Sequence, residues 1–283
     1  MRAAGPEDRA ALSLLLARTW RRHGSSALED QADLLQGGAS TISLTRGDAH
    51  GFLGLRLRQP AGSPPQVWAD LNLAAVESGG RVDGILGSLT RAALPGLQRA
   101  GATGIVCLAA PGWLEEGLAR AGFVEEDKVI TYAHTSPHTQ LPADGPAVIR
   151  PARSPDADEI LRINAVAFGP FWQYDDAVVL GWVLSSDRAV VAEVGGRIAG
   201  FAVTTLGLAG HYAHLIRVAT DSAFRARGIG RQLVIDAIEF SREANAPGLA
   251  LNTQGGNRIS RRLYESLGFG QTGHVLSAMV YRL

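Results

Sequence analysis

The second half of the chain carries the clearest pattern of apolar and polar positions. Between residues 230 and 244, Leu233, Val234, Ala237 and Ile238 recur at the spacing of one helical face, which predicts an amphipathic helix. Similar patterns predict further helices over 156–165 and 257–267, and strands over 189–193, 198–204, 212–220, 249–252 and 275–281. Strands that alternate with helices predict a mixed α/β sheet.

Three short segments of the first half return in the second half, in the same order and at nearly the same offset. They pair residues 2–4 with 150–152, 52–55 with 198–201, and 122–123 with 268–269. Such regular self-similarity predicts a duplicated domain. Proline and glycine are dense between the copies, which is typical of a connecting segment. We therefore predict a first lobe over 1–134, a linker over 135–147 and a second lobe over 148–283.

Composition narrows the class of protein. The chain has 283 residues, of which 46% are hydrophobic and 19% charged, with a formal net charge of zero. A balanced charge argues against nucleic acid as a partner, and no apolar run reaches the ~20 residues that a membrane span needs. The single cysteine, Cys107, excludes an intramolecular disulfide and suits a reducing compartment. No secretory signal pattern opens the chain, and the expected location is cytoplasmic.

No metal site is expected either. His134 and His138 are close in sequence, but no cysteine or carboxylate cluster accompanies them. We interpret both as solvated histidines of a loop.

The sharpest chemical signal is the segment Arg225-Ala226-Arg227-Gly228-Ile229-Gly230, which follows a predicted strand and opens a predicted helix. Glycine lets the backbone approach a ligand closely. The free N–H groups and dipole of a helix start favour an anion such as a pyrophosphate. Leu233 takes the third glycine position of a dinucleotide fingerprint, and no lysine follows as in a Walker loop. A plain tight turn into a helix is the alternative interpretation.

A second motif follows about 25 residues later. It begins with Asn257, Ser260, Leu263 and Tyr264 at spacings of three, three and one, and ends on the pair Gly268-Phe269. Together the two motifs resemble the GNAT superfamily of N-acetyltransferases, closely after about residue 148 and loosely before it. The resemblance implies two tandem GNAT-like lobes, each a mixed, mostly antiparallel twisted sheet flanked by helices.

The resemblance also implies roles for particular residues. In that family the strand before the loop lines the acetyl thioester of acetyl-CoA, the loop holds the pyrophosphate through its backbone, and the second motif holds the pantetheine arm. The matching cofactor-binding positions are Val218, Ala219, Thr220, Arg225, Ala226, Arg227, Gly228, Ile229, Gly230, Asn257 and Ser260. Tyr264 matches the general acid that protonates the departing thiolate. The alternative for Tyr264 is a packed aromatic of the helix.

An amine acceptor must lose a proton, because an alkylamine with a pKa of ~10.4 is almost entirely protonated at pH 7. Strand alternation predicts that His214 shares a face with Val218. Histone-acetylating members of the family carry a glutamate base at this position, and a histidine titrates near neutrality. Two interpretations of His214 stay open: a catalytic base, or a hydrogen-bonded histidine at a strand end.

The acceptor is poorly encoded. Aromatic residues cluster between the first two predicted helices of the second half, where family members often bind the acceptor; they are Phe168, Phe171, Trp172 and Tyr174, followed by Asp175 and Asp176. Such a cluster is also typical of packing. The expected acceptor is a small amine or a peptide.

The first lobe looks degenerate. Leu86 replaces the second loop glycine, Asp83 adds negative charge, and Leu118 stands at the tyrosine position. Pro95 is expected to interrupt the helix that follows the loop. We interpret this lobe as a scaffold or a wall of the acceptor site.

The predicted function is transfer of an acetyl group from acetyl-CoA to a primary amine by direct attack in a ternary complex, in the second lobe. The alternative is an idle acyl-CoA-binding regulator or sensor. Acyl length, acceptor identity and oligomeric state are not encoded in any motif that we find.

Overall fold

The computed structural model describes residues 1–24, 28–58, 66–79, 81–135, 145–207 and 212–283. Within these ranges the chain forms two compact units. One comprises the described residues up to Val129 together with Val275–Leu283, and the other comprises those of Ile130–His274. Each unit contains a mixed, mostly antiparallel sheet flanked by helices, which confirms the predicted fold class. No helix in these ranges is long and apolar enough to cross a bilayer.

The first unit contains four helices in its described ranges, α1 (Arg9–Arg18), α2 (Leu28–Gln36), α3 (Val82–Arg99) and α4 (Trp113–Arg120). Its strands are β1 (Arg2–Ala3), β2 (Arg22–Gly24), β3 (Thr41–Thr45), β4 (Asp48–Arg58), β5 (Val67–Val76) and β6 (Ala102–Ala109), and β7 (Val124–His134) begins in it. Helix α3 continues through Pro95, so the expected interruption is wrong. A proline that removes one backbone N–H can be tolerated where packing holds the helix, and buried Leu86, Leu89 and Leu97 anchor α3 on both sides of it.

Except for β2, the second unit repeats this order of elements in its described residues. Its strands are β8 (Val148–Pro151), β9 (Arg188–Val194), β10 (Arg197–Thr205), β11 (Ala213–Thr220) and β12 (Leu249–Gln254), and β13 (Gly270–Arg282) begins in it. Its helices in the described ranges are α5 (Ala157–Ala167), α6 (Asp176–Ser185), α7 (Ile229–Glu243) and α8 (Arg258–Ser266). The elements predicted for this half are confirmed, with ends that differ by a few residues.

Both units open with the same ion pair. Arg2 donates two bonds to Asp8, at 2.7 and 2.6 Å, and Arg150 donates two to Asp156, at 2.8 and 3.0 Å. In each case the arginine hydrogen bonds hold the pKa of the aspartate below its usual range. The shared geometry at the first landmark of the repeat supports duplication at the level of side chains.

The two units exchange their last strand segments. The sheet order is β1-β3-β4-β5-β6-β13 in the first unit and β8-β9-β10-β11-β12-β7 in the second. Thus Val275–Leu283, from the far end of the chain, lies in the first unit, and Ile130–His134 lies in the second. In the first unit β13 runs antiparallel to β6, with Met279 opposite Cys107. The lobe limits at 134 and 148 remain predictions about the repeat.

His134 ends β7 and is buried against the ring of Phe269, with ring centroids 5.3 Å apart. The prediction of a solvated His134 is therefore wrong, because β7 extends to this residue. Burial also lowers the pKa of its imidazole. His138 and the linker positions 136–144 lie outside the described residues.

Candidate functional site

A cleft opens in the sheet of the second unit between β11 and β12. These parallel strands pair at only three positions, from Ala213 opposite Leu249 to Leu215 opposite Leu251. Past that point the cavity begins, lined by Phe168, Leu215, Ile216, Arg217, Val218, Leu251, Asn252, Thr253, Gln254, Asn257, Ser260 and Tyr264. Backbone groups of β11 on this edge are therefore not used in pairing with β12, and they can bind a ligand.

A β-bulge in β11 explains where the strands part. Val203 of β10 lies opposite Arg217, but the next residue, Thr204, lies opposite Leu215, so Ile216 is inserted. A bulge bends its strand and increases its twist. The cavity consequently reaches both faces of the sheet. Tyr264 belongs to the core beneath α7 and α8, whereas Phe168 packs in the cluster beneath α5 and α6.

The bulge also corrects the predicted alternation of side chains. An inserted residue reverses which face the following side chains occupy. His214 pairs with Thr205 and Val218 with Ala202, which lie on opposite faces of β10. The prediction that His214 and Val218 share a face is therefore wrong. His214 is half-buried, burial lowers the pKa of its imidazole, and it is absent from the described residues that line the cavity.

The predicted anion loop lies between β11 and α7. Asp221 accepts hydrogen bonds from Arg162 and from the backbone N–H of Ala223, and these bonds lower the pKa of the aspartate. Ala226 and Gly228 then adopt left-handed conformations, with φ of 59° and 82°. Helix α7 begins directly after Gly228, so its first N–H groups have no acceptor in the helix itself. They are available to an anion.

The two glycines of the loop differ. A Cβ on Gly228 would meet no atom within 4 Å, but the left-handed φ favours glycine. A Cβ on Gly230 would lie 3.4 Å from Thr220 Oγ1 and 3.6 Å from Leu263, which is ordinary contact, and its φ is not positive. Only Gly228 is required by the backbone. Thr220 and Ala219, the last residues of β11, lead directly into this loop.

Helix α8 carries the second motif to the cleft. Asn257 caps the helix and accepts a hydrogen bond of 3.2 Å from the backbone N–H of Ser260. Tyr264 lies one turn beyond Ser260 and is only 5% exposed. Burial raises the pKa of Tyr264 to about 12, partly offset by its hydrogen bond with the Ser260 side chain. The phenol is therefore protonated at any physiological pH.

The structure brings some predicted site residues together and not others. Val218, Asn257, Ser260 and Tyr264 all line the cavity, whereas His214 does not. Sequence reasoning missed Arg217 and the β12 residues Asn252, Thr253 and Gln254. Arg217 carried a signal, because an arginine inside the apolar run from Leu215 to Ala219 is unusual for a buried strand. The β12 residues carried none.

The corresponding edge in the first unit is occupied by the chain itself. Strands β5 and β6 pair in parallel as far as Asp70 and Val106. Beyond this point β2 pairs with β5, with Gly24 opposite Leu73. A side chain on Gly24 would overlap the carbonyl oxygen of Asn72, so β2 lies directly against β5.

On its other side β2 approaches β6. His23 Nε2 is 3.8 Å from the sulfur of Cys107, and burial lowers the pKa of the imidazole. Burial, followed by the charge of Asp70, raises the pKa of the Cys107 thiol to about 12. A thiol of that pKa is not a nucleophile at neutral pH. Among the described residues, no group of three or more histidines, cysteines and carboxylates is placed to bind a metal.

Comparison with known proteins shows which families and structures the chain is similar to. Residues 157–269 match the model of the acetyltransferase (GNAT) family. The N-acetylaspartate synthetases of Rattus norvegicus and Homo sapiens are each 31% identical over 97 residues, which is 33% of this chain and 32% of theirs. The chain thus matches about a third of the length of these curated relatives.

Solved structures resemble the chain over nearly its whole length. A GCN5-related N-acetyltransferase from Sphaerobacter thermophilus superposes with a TM-score of 0.67 at 16% identity, covering 99% of this chain and 94% of that one. A tandem GNAT protein from the clavulanic acid biosynthesis pathway gives 0.61 at 17% identity, covering 99% and 96%. At these identities the likeness is one of fold.

Proposed function

Residues 157–269 belong to the GNAT family of acetyltransferases, and from that premise we propose that the chain transfers an acetyl group from acetyl-CoA to an amine at the cleft of the second unit. Acetyl-CoA supplies a thioester carbonyl that an amine can attack and a thiolate that can leave. The acceptor is a small amine or a peptide.

The protonated phenol of Tyr264 in the cleft carries the proposal. A thiolate leaves more readily when a nearby acid protonates it. Tyr264 is buried, its pKa is raised to about 12, and it lines the cleft beside Ser260. A protonated phenol in this position can donate its proton to a thiolate that leaves in the cleft.

The loop before α7 supports binding of a pyrophosphate. Its open left-handed turn at Gly228 presents the first N–H groups of α7, and Arg225 and Arg227 are exposed beside them. Backbone N–H groups, helix dipole and arginine charge all favour an anion there. Val218, Ala219 and Thr220 connect this loop to the cleft, so one extended ligand can occupy both.

His214 is the proposed base, acting through water, because the described residues that line the cleft include no carboxylate and no imidazole. The bulge directs His214 to the face of the sheet beneath α5 and α6, opposite to Tyr264. An amine that enters from this face meets the thioester carbonyl from the side away from the acid.

The first unit is proposed to bind no second acetyl-CoA. Strand β2 occupies the edge of β5 that would receive the pantetheine arm, and Asp83 adds a negative charge in the first turn of α3. Leu118, at the tyrosine position, is fully buried. This unit then serves as scaffold.

Calorimetry and an activity assay test the proposal together. Acetyl-CoA should bind at one per chain, and CoA should be released when a panel of primary amines is added. Binding without CoA release from any amine would support an idle acyl-CoA sensor instead, and absence of binding would overturn both. Replacing acetyl-CoA with longer acyl-CoA thioesters in the same assay would determine the acyl length.

A further inference from the structure

Arg217 is a buried cation in the middle of β11. Its exposed fraction is 8%. Its Nε donates to Asn164 Oδ1 at 2.9 Å and its Nη2 to the carbonyl oxygen of Trp172 at 3.1 Å. The guanidinium carbon lies 3.3 Å from the ring centroid of Phe168. These contacts hold the guanidinium plane in one orientation, next to the segment that connects α5 and α6.

The charged side chains that line the cleft have one sign. Arg217 lines it, and the other described residues that line it are apolar, amide, hydroxyl or phenol side chains. The lining that the structure describes thus has one positive charge and no carboxylate. Inside a partly desolvated cleft such a charge attracts an anionic group strongly and repels a second cation.

The position of Arg217 assigns this charge to one side of the reaction. Arg217 pairs with Val203, which packs in the cluster beneath α5 and α6, and it stacks on Phe168 of the same cluster. Tyr264 lies on the opposite face, beneath α8. The loop before α7 provides the proposed binding groups for the phosphates of CoA. The face beneath α5 and α6, where the guanidinium stacks on Phe168, is then the region left for the acceptor.

We propose that Arg217 binds a carboxylate of the acceptor, so that the amines acetylated here are amino acids or other amines with a carboxylate a few bonds from the nitrogen. This inference rests on the proposed function. A guanidinium binds a carboxylate through charge-assisted hydrogen bonds, which are stronger than those between neutral groups. Because Asn164, Trp172 and Phe168 already hold Arg217, little side-chain entropy is lost when the acceptor binds. Polyamines are disfavoured, because they bring a second cation to a cleft without a carboxylate.

Matched acceptors test the proposal. Glycine is compared with glycinamide, and β-alanine with β-alaninamide, by following CoA release with wild-type protein, Arg217→Gln, Arg217→Lys and the control Arg153→Gln. Arg153 is exposed and is absent from the lining residues that the structure describes. The measured quantity is the kcat/KM of each carboxylate divided by that of its amide. Comparing this ratio between variants cancels differences in amine pKa.

We expect Arg217→Gln to lower this ratio at least about tenfold, mainly through the KM of the carboxylate, and Arg217→Lys to restore part of it. Arg153→Gln should leave the ratio unchanged. A structural role would lower both kcat/KM values together and leave the ratio as it was, which overturns the proposal. If Arg217→Gln fails to fold, the wild-type protein is assayed with the same acceptors and with polyamines. A preference of the wild-type protein for polyamines over the carboxylates also overturns the proposal. Failure of every amine would instead refute the acetyltransferase function itself.

Discussion

At the scale of single residues, burial determines the protonation state of Tyr264. Its ring packs between those of Tyr132 and Phe269, with centroids 6.2 and 5.8 Å away. The same burial raises its pKa to about 12. A phenol with a raised pKa keeps its proton until the pH reaches that value, so it is an acid throughout the working range.

Replacing Tyr264 with phenylalanine removes the proton donor and keeps the ring. The maximal rate should fall about 10²–10⁴-fold, with little change in acetyl-CoA affinity. The matched control is Tyr132→Phe. The hydroxyl of Tyr132 donates to Glu265 at 2.9 Å, and Tyr132 is not among the described residues that line the cleft. Because the pKa of Tyr264 is about 12, its deprotonation should not lower the rate of the wild-type protein between pH 8 and 10. An unchanged maximal rate in Tyr264→Phe would reduce this residue to packing.

His214 gives a prediction about pH. Only neutral imidazole accepts a proton, and burial lowers the pKa of His214. The rise of kcat/KM with pH should therefore be centred below the ordinary value of about 6.5. His214→Ala should remove this rise and cost at least about tenfold near pH 7, less at pH ~9–10 where more of the amine is neutral. Parallel pH profiles of wild-type and variant protein would exclude the base role.

At the scale of elements, the two glycines at the start of α7 should respond differently to substitution. Gly228→Asp places a negative charge in the open turn and should lower acetyl-CoA affinity at least about tenfold. Gly230→Ala should keep the affinity and stabilise the helix by about 0.5–1 kcal/mol, because its Cβ meets only ordinary contacts. Calorimetry and thermal unfolding of both variants check this. Equal loss of binding in the two would contradict the assignment.

Strand β2 is the element that distinguishes the first unit from the second. Gly24→Ala should destabilise the protein by roughly 3 kcal/mol, because the methyl group adds overlap with β5 to left-handed strain. Gly38→Ala has similar strain, with φ of 70°, but meets no atom within 4 Å, so about 1 kcal/mol is expected. Urea unfolding measures both. Equal losses would mean that β2 does not lie against β5 in solution.

At the scale of the whole molecule, each unit contains a strand segment from the other half of the chain. Met279, near the C-terminus, is buried in the core of the first unit, and Tyr132, before the linker, is buried in that of the second. Each residue should therefore stabilise the unit that its place in the sequence does not suggest.

Truncating each residue to alanine tests this arrangement. Met279→Ala and Tyr132→Ala should each cost about 2–5 kcal/mol. Hydrogen exchange should show lost protection in β5 and β6 for Met279→Ala, and in β11 and β12 for Tyr132→Ala. The reverse pattern would show that the end of β13 lies in the second unit and the end of β7 in the first, which contradicts the exchange.

Local physics explains what the sequence by itself determined. Apolar periodicity predicted the strands and helices of the second unit, because the faces that are buried there repeat every two or 3.6 residues. Three repeated segments, among them Arg2 and Arg150, predicted the duplication. The motif around Gly228 predicted a turn into a helix, which depends on neighbouring residues only, and the second motif placed Tyr264 on the helix that follows Asn257.

The tertiary structure alone decided the features that depend on distant pairing. The bulge at Ile216 is a property of the register between β10 and β11, so it reversed the predicted face of His214 and brought Arg217 to the cleft. The occupation of the β5 edge by β2, and the exchange of β7 and β13, depend on which backbone edges meet. Backbone hydrogen bonds between strands are nearly independent of side chains, and a sequence pattern therefore carries little information about which edges pair.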